Sequence, residues 1–130
     1  MQNTKIRYTV RLAPITKKNH QQIVTNRTTG RPFVMPSKQY KEYEANAQWF
    51  LKPLPKKPID IAVNVKCLFY MPTHRRVDLT NLEEAIDDVL VKVGVLADDN
   101  SNIIASHDGS RVLYDKENPR TEIEITIFEG

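Results

Sequence analysis

From Ile6 to Leu12, apolar and polar residues alternate, with β-branched and aromatic side chains among them, and Pro14 closes the run. This is the pattern of a half-buried first strand. Lys17-Lys18-Asn19-His20 reads as a basic loop, followed by a hairpin that runs from Gln22-Ile23-Val24 to Phe33-Val34 and turns near Gly30. Ser37 can cap a helix on which Tyr40, Tyr43, Trp49, Phe50 and Leu51 fall on a rough stripe and which Pro53 ends, so these aromatics are expected in the core or at a dimer interface. Lys52 to Pro58 is a stiff, Pro-rich surface connector. Residues 59 to 70 place Ile61, Val63, Val65, Cys67 and Phe69 on one face of a long strand, and a loop from Met71 to Val77 leads out of it. Leu82, Ala85, Ile86, Val89, Leu90 and Val93 recur at helical spacing, with Gly94 as the stop. Ile103-Ile104 opens a further strand, and Asp108-Gly109 turns the chain before Val112-Leu113-Tyr114. Thr121 to Phe128 alternates Ile123, Ile125 and Ile127 inward with Glu122, Glu124 and Thr126 outward. The pattern predicts one α+β domain over residues 1–130, with a mixed sheet of four to six strands and two main helices packed on it.

Charge changes the picture more than composition does. Residues 1 to 76 hold 15 Lys and Arg against 3 acids, so 15 − 3 = +12, whereas residues 77 to 130 hold 4 basic and 13 acidic residues, so 4 − 13 = −9. One part of the surface is suited to a polyanion and another to cations, and a nucleic acid with a divalent metal uses both. Cys67, the one cysteine, lies in an apolar run and reads as a buried structural thiol in a reducing cytoplasm. No apolar run has the length of a membrane span or the form of a signal peptide, so no membrane partner is expected. No Gly-rich phosphate loop supports nucleoside triphosphate chemistry, and the spacing of His20, His74 and His107 does not fit zinc.

The candidate chemistry lies in Arg75-Arg76-Val77-Asp78-Leu79-Thr80-Asn81 and, one helix later, Asp98-Asp99. Hard cations such as Mg²⁺ take carboxylates, waters and substrate phosphate, and carboxylates beside arginines suit metal-assisted phosphodiester hydrolysis. Asp78 sits where loop becomes helix, and the helix carries the chain ~20 Å away, so a meeting of Asp78 with Asp99 requires the following strand to return. A plainer reading stands beside this one: Asp78 as a helix cap and Asp98-Asp99-Asn100 as a turn. Glu83, Glu84, Asp87 and Asp88 commonly form a solvated face, yet the spacing of Thr80, Glu84 and Asp87 turns Glu84 and Asp87 toward whatever Asp78 and Thr80 face. Lys17, Lys18, Arg27, Arg31, Arg75 and Arg76 are the candidates for DNA backbone contacts.

The block from Met71 to Leu82, the helix ending in Lys92-Val93-Gly94, and Leu96-Ala97-Asp98-Asp99 before a strand resemble the core of the RusA family of Holliday junction resolvases, over about residues 60 to 128 and more loosely before them. The resemblance implies a small homodimeric, Mg²⁺-dependent endonuclease, with Mn²⁺ as a substitute, that cuts four-way DNA junctions in recombination and repair and is typical of prophages and phages. It implies Asp78, Asp98 and Asp99 as metal ligands, with Asn81 orienting the site. The family motif is Arg-x-Asp-x-Asp-Asn, so Thr80 replaces an aspartate, and Glu84 replaces a lysine thought to assist catalysis. Glu84, one helical turn beyond Thr80, is expected to restore the lost carboxylate. A branched-DNA-binding relative without competent metal chemistry is the second reading.

Overall fold

Alternation along Val63–Met71 makes this strand, β4, the middle of the sheet. Val63, Val65, Cys67 and Phe69 are buried while the residues between them are half-buried on the other face. The computed structural model describes residues 5–17, 22–25, 27–35 and 38–129. In chain order the remaining elements are β1 Lys5–Val10, β2 Gln22–Thr25, β3 Pro32–Met35, α1 Lys38–Ala47, α2 Leu79–Val93, β5 Ile104–Ser106, β6 Arg111–Tyr114 and β7 Arg120–Ile127, with a 3-10 turn over Gln48–Phe50 after α1.

Five strands form a mixed sheet. β7 lies between β1 and β4 and runs antiparallel to both, from Tyr8 opposite Ile123 to Cys67 opposite Ile123 on its other side. The far edge of β4 is shared by two short parallel strands: β5 beside its start at Val63, and β6 beside its end, where Leu68 faces Arg111 and Met71 faces Tyr114. β2 and β3 make a separate hairpin, with Gly30 at a φ of 73°. This is the expected α+β architecture.

Tyr40, Tyr43 and Ala47 of α1 and Leu82, Ala85, Ile86, Val89 and Leu90 of α2 share one buried cluster with Val65, Phe69, Ile123 and Ile125 of the sheet. Burial of these side chains supplies the main stabilising force. Tyr40 also donates its hydroxyl to the Ala85 carbonyl at 3.2 Å, tying the two helices together. One pair of alternatives is narrowed, with Trp49 outside the core, and one expectation, for Ile61, fails. Trp49 is 66% exposed because α1 gives way to the 3-10 turn at Gln48, which rotates it off the buried stripe. Ile61 is 52% exposed because β4 begins only at Val63. Ser37 lies outside the described residues. Among those described, no helix is long and apolar enough to cross a membrane.

Leu90 is fully buried. Leu90→Ala is expected to lower unfolding free energy by about 2–5 kcal/mol in urea titrations, the range for a large buried aliphatic cut back to alanine.

Candidate active site

The site starts from a glycine. Gly94 ends α2 at a φ of 101°, a left-handed conformation open to a residue without Cβ, and the chain reverses there. The amides of Val95 and Leu96 both donate to the Leu90 carbonyl, at 2.9 and 3.2 Å. Leu96 then pairs with Ile59: the Ile59 amide donates to Val95 at 2.9 Å, and the Ala97 amide donates to Ile59 at 2.8 Å. The next residues are thereby fixed beside the last turns of α2.

Asp98 and Asp99 differ in what their oxygens do. Asp98 Oδ1 accepts from the Asp99 amide at 2.7 Å, and its Oδ2 accepts from Asn100 Nδ2 at 3.1 Å. Asn100 Oδ1 accepts from the Asn102 amide at 2.9 Å, so both side chains hold the turn together. The Asp99 carboxyl is left to face α2, where it meets Asp88. A side-chain hydrogen bond with Asp88, then burial and the bond to Asp98, raise its pKa above the ordinary carboxylate value. Two carboxyls can share a hydrogen bond only if one keeps a proton, which is why proximity appears as a raised pKa.

Lys17 supplies the local positive charge. Its ammonium pairs with Asp88 and lies 5.7 Å from the Tyr40 ring centroid. The bond to Asp88 raises its pKa, burial opposes the shift, and Glu84 and Glu44 add to the pull. Lys17 is therefore held by carboxylates, where the sequence suggested a backbone phosphate. An open groove of about 460 Å³ is lined by Lys17, Tyr40, Lys41, Glu44, Asp88, Lys92 and Asp99.

Asp78 stands at the other end of the helix. It occupies the N-cap position, but its carboxylate caps no backbone amide and instead accepts from Asn81 Nδ2 at 3.3 Å. Asp88 lies ten residues further on, ~15 Å along the axis, so an ion held between Asp88 and Asp99 is not one that Asp78 also grips. The expected meeting of Asp78 with Asp99 is replaced by that of Asp88 with Asp99. Asn81, Glu84 and Asp88 fall on one stripe at i, i+3 and i+7, which joins the two ends. Thr80 and Glu84 are exposed on the helix.

Arg75 and Arg76 are exposed and line a second groove of about 460 Å³ with Pro14, Ile15, Thr16 and Leu82. The segment Pro14 to Lys17 thus borders both grooves, one near each end of α2. Arg27 and Arg31 are exposed around the β2–β3 turn, while Lys18 lies outside the described residues. The model of the family described as endodeoxyribonuclease RusA matches residues 12–126. The chain belongs to the RusA family. That is a family of endodeoxyribonucleases that resolve Holliday junctions. Comparison with curated proteins finds no match.

Resolvases of the RusA kind are generally divalent-metal dependent. Among the described residues, no group of three or more His, Cys, Asp or Glu side chains is gathered to hold a metal ion. Mg²⁺ commonly takes only one or two carboxylates and fills its shell with water and phosphate, and the Asp88–Asp99 pair fits that demand. The pair already draws in the ammonium of Lys17, the chain's own cation.

A buried polar cluster absent from the sequence reading lies on the other side of α2. Asp87 is turned inward, 8% exposed, and its Oδ2 lies 2.9 Å from His107 Nε2. His107 Nδ1 lies 3.9 Å from Glu83 Oε2. Asp87 thus faces the turn after β5, not Asp78 and Thr80, because Ala85, Ile86, Val89 and Leu90 fix which side of α2 meets the sheet. The sequence signal was the spacing of Glu83 and Asp87, one turn apart. Burial first, then Glu83, Asp99 and Asp88, push the Asp87 carboxyl up to about 8. A carboxyl raised from its ordinary 3.8 favours the fold while the unfolded chain is also protonated, and that contribution fades as pH climbs toward about 8. Asp87→Asn is therefore expected to gain melting temperature relative to the parent as pH rises from 5 to 8 in EDTA. A constant difference across that range contradicts the assignment.

Proposed function

We propose that this RusA-family chain is a Mg²⁺-dependent endonuclease that cuts four-way DNA junctions as a homodimer in the cytoplasm, in recombination and repair, with Mn²⁺ able to replace Mg²⁺. The observation that carries the reading is Asp88 and Asp99 lining one groove with Lys17 beside α2, with Arg75 and Arg76 exposed in the groove near the helix start.

Asp88 and Asp99 would hold the cation, and Asp98, with both oxygens accepting within the turn, positions Asp99. When bound, such an ion activates water and stabilises the charge that builds on the phosphodiester oxygens. Arg75 and Arg76 hold the backbone near the start of α2, and Arg27 and Arg31 extend the contact along the hairpin. Asp78 and Asn81 lie next to those arginines in sequence. The Asp78 carboxylate bonds to no first-turn amide, so it is available to hold a water against the strand. Glu84 adds negative charge between the two ends and draws Lys17, which is the form its compensation for Thr80 takes. A twofold dimer offers two such sites to two symmetry-related strands, as a four-way junction requires. Trp49, 66% exposed at the end of α1, is suited to the contact between copies.

Cleavage of a synthetic four-way junction tests this. Asp88→Asn and Asp99→Asn are each expected to lose roughly 100-fold or more in single-turnover cleavage and to weaken Mn²⁺ binding in calorimetry. Asp78→Asn is expected to lose cleavage while keeping Mn²⁺ binding. Full cleavage by Asp99→Asn overturns the site. Junction binding by the unaltered chain with no cleavage in any divalent metal favours the noncatalytic reading. Arg75→Ala is expected to lower the slope of log affinity against log salt by about 1.

A further inference from the structure

β6 pairs in parallel with β4, which sets Tyr114 opposite Met71, three residues before His74 in the loop that leads to α2. The Asp115 amide donates to the Met71 carbonyl at 2.9 Å and closes this end of the strand pair. There the His74 and Tyr114 rings stack, with centroids 3.8 Å apart and planes 23° from parallel. Both residues are exposed, Tyr114 at 43%. Neither belongs to the core cluster, so the stack adds little to the packing of the domain. It also lies on the α2 side of the sheet: Tyr114 shares the register face of Met71, and Phe69 two residues earlier on that face is buried beneath the helices.

A second aromatic and basic contact shows what a structural version looks like. Arg120 lies 3.8 Å over the Tyr70 ring on the opposite face, and its guanidinium is held by Asp115 at 2.9 Å and Glu122 at 2.8 Å. That charge is neutralised and that ring is covered. Next to His74 in the chain, the side chains of Arg75 and Arg76 are exposed and have no ion pair among the described residues. An open π-surface flanked by uncompensated arginines is the combination that holds unpaired bases and their phosphates.

Resting on the reading above, we propose that His74 and Tyr114 form a stacking platform for bases unstacked at the branch point, with Arg75 and Arg76 on the flanking phosphates. Phosphate contacts alone treat a junction and a duplex alike, because both present the same backbone charge. Stacking separates them, since a continuous duplex offers no free base face while a branch point does. The platform is thus a device for preferring branched over linear DNA.

The test compares affinity for a four-way junction with that for a linear duplex in Ca²⁺ buffer, with 2-aminopurine at the branch point. The unaltered chain is expected to prefer the junction and to quench the fluorophore. Tyr114→Ala and His74→Ala are each expected to lose on the order of ten-fold of that preference and most of the quenching, with duplex affinity and melting temperature unchanged. Tyr114→Phe, which keeps the ring, is expected to keep both. Preference and quenching intact in both alanine variants overturn the platform and leave the nuclease reading standing. Equal losses on junction and duplex also overturn it. No junction preference in the unaltered chain overturns the platform and the junction reading together, while duplex cleavage lost in Asp99→Asn would still mark a nuclease.

Discussion

The reversal of the chain after α2 is the constraint on which the site depends. Gly94 takes a backbone conformation that side-chain-bearing residues rarely adopt, the Leu90 carbonyl takes two amides from the returning chain, and Leu96 is held against Ile59 by two further hydrogen bonds. Each is a backbone interaction, indifferent to the chemistry that follows. Together they leave no freedom about where Asp98 and Asp99 arrive. The Asp98 side chain then holds the turn, and the Asp99 carboxyl faces Asp88.

Bringing carboxyls together opposes folding unless they are partnered, and the chain supplies partners on both sides of α2. On the open side Lys17 pairs with Asp88. On the buried side His107 meets Asp87, within reach of Glu83. The two sides are electrostatically connected, since Asp99 and Asp88 both act on Asp87. An acidic helix that would be a plain solvated surface elsewhere is thereby crowded with carboxyls, an arrangement that a hard divalent cation would relieve. The basic half of the chain serves the other requirement, with its exposed arginines lying where a polyanion can reach them.

Period-2 and period-3.6 patterns made the fold readable, because Val63, Val65, Cys67 and Phe69, and Leu82, Ala85, Ile86, Val89 and Leu90, could only be buried one way. Ile61 misled because it continues the alternation ahead of the point where β4 begins, and apolarity alone does not mark that start. The arginines and the Asp98-Asp99 turn were legible as motifs. Which acid meets Asp99 was not, since that depends on how far back along α2 the returning strand reaches, a distance that sequence spacing does not encode. Asp88 was hidden among four similar acids, and only the side of α2 that faces the sheet separates it from Asp87. His107 carried no signal at all without the pairing of β5 with β4. The His74–Tyr114 stack likewise joins residues forty positions apart through the β4–β6 register.

The most direct measurement of the central claim is a crystal structure of the protein soaked in Mn²⁺ and recorded at the manganese edge. The account predicts an anomalous peak between the carboxylates of Asp88 and Asp99. A peak bound by Asp78 with Asp88 left bare would contradict it.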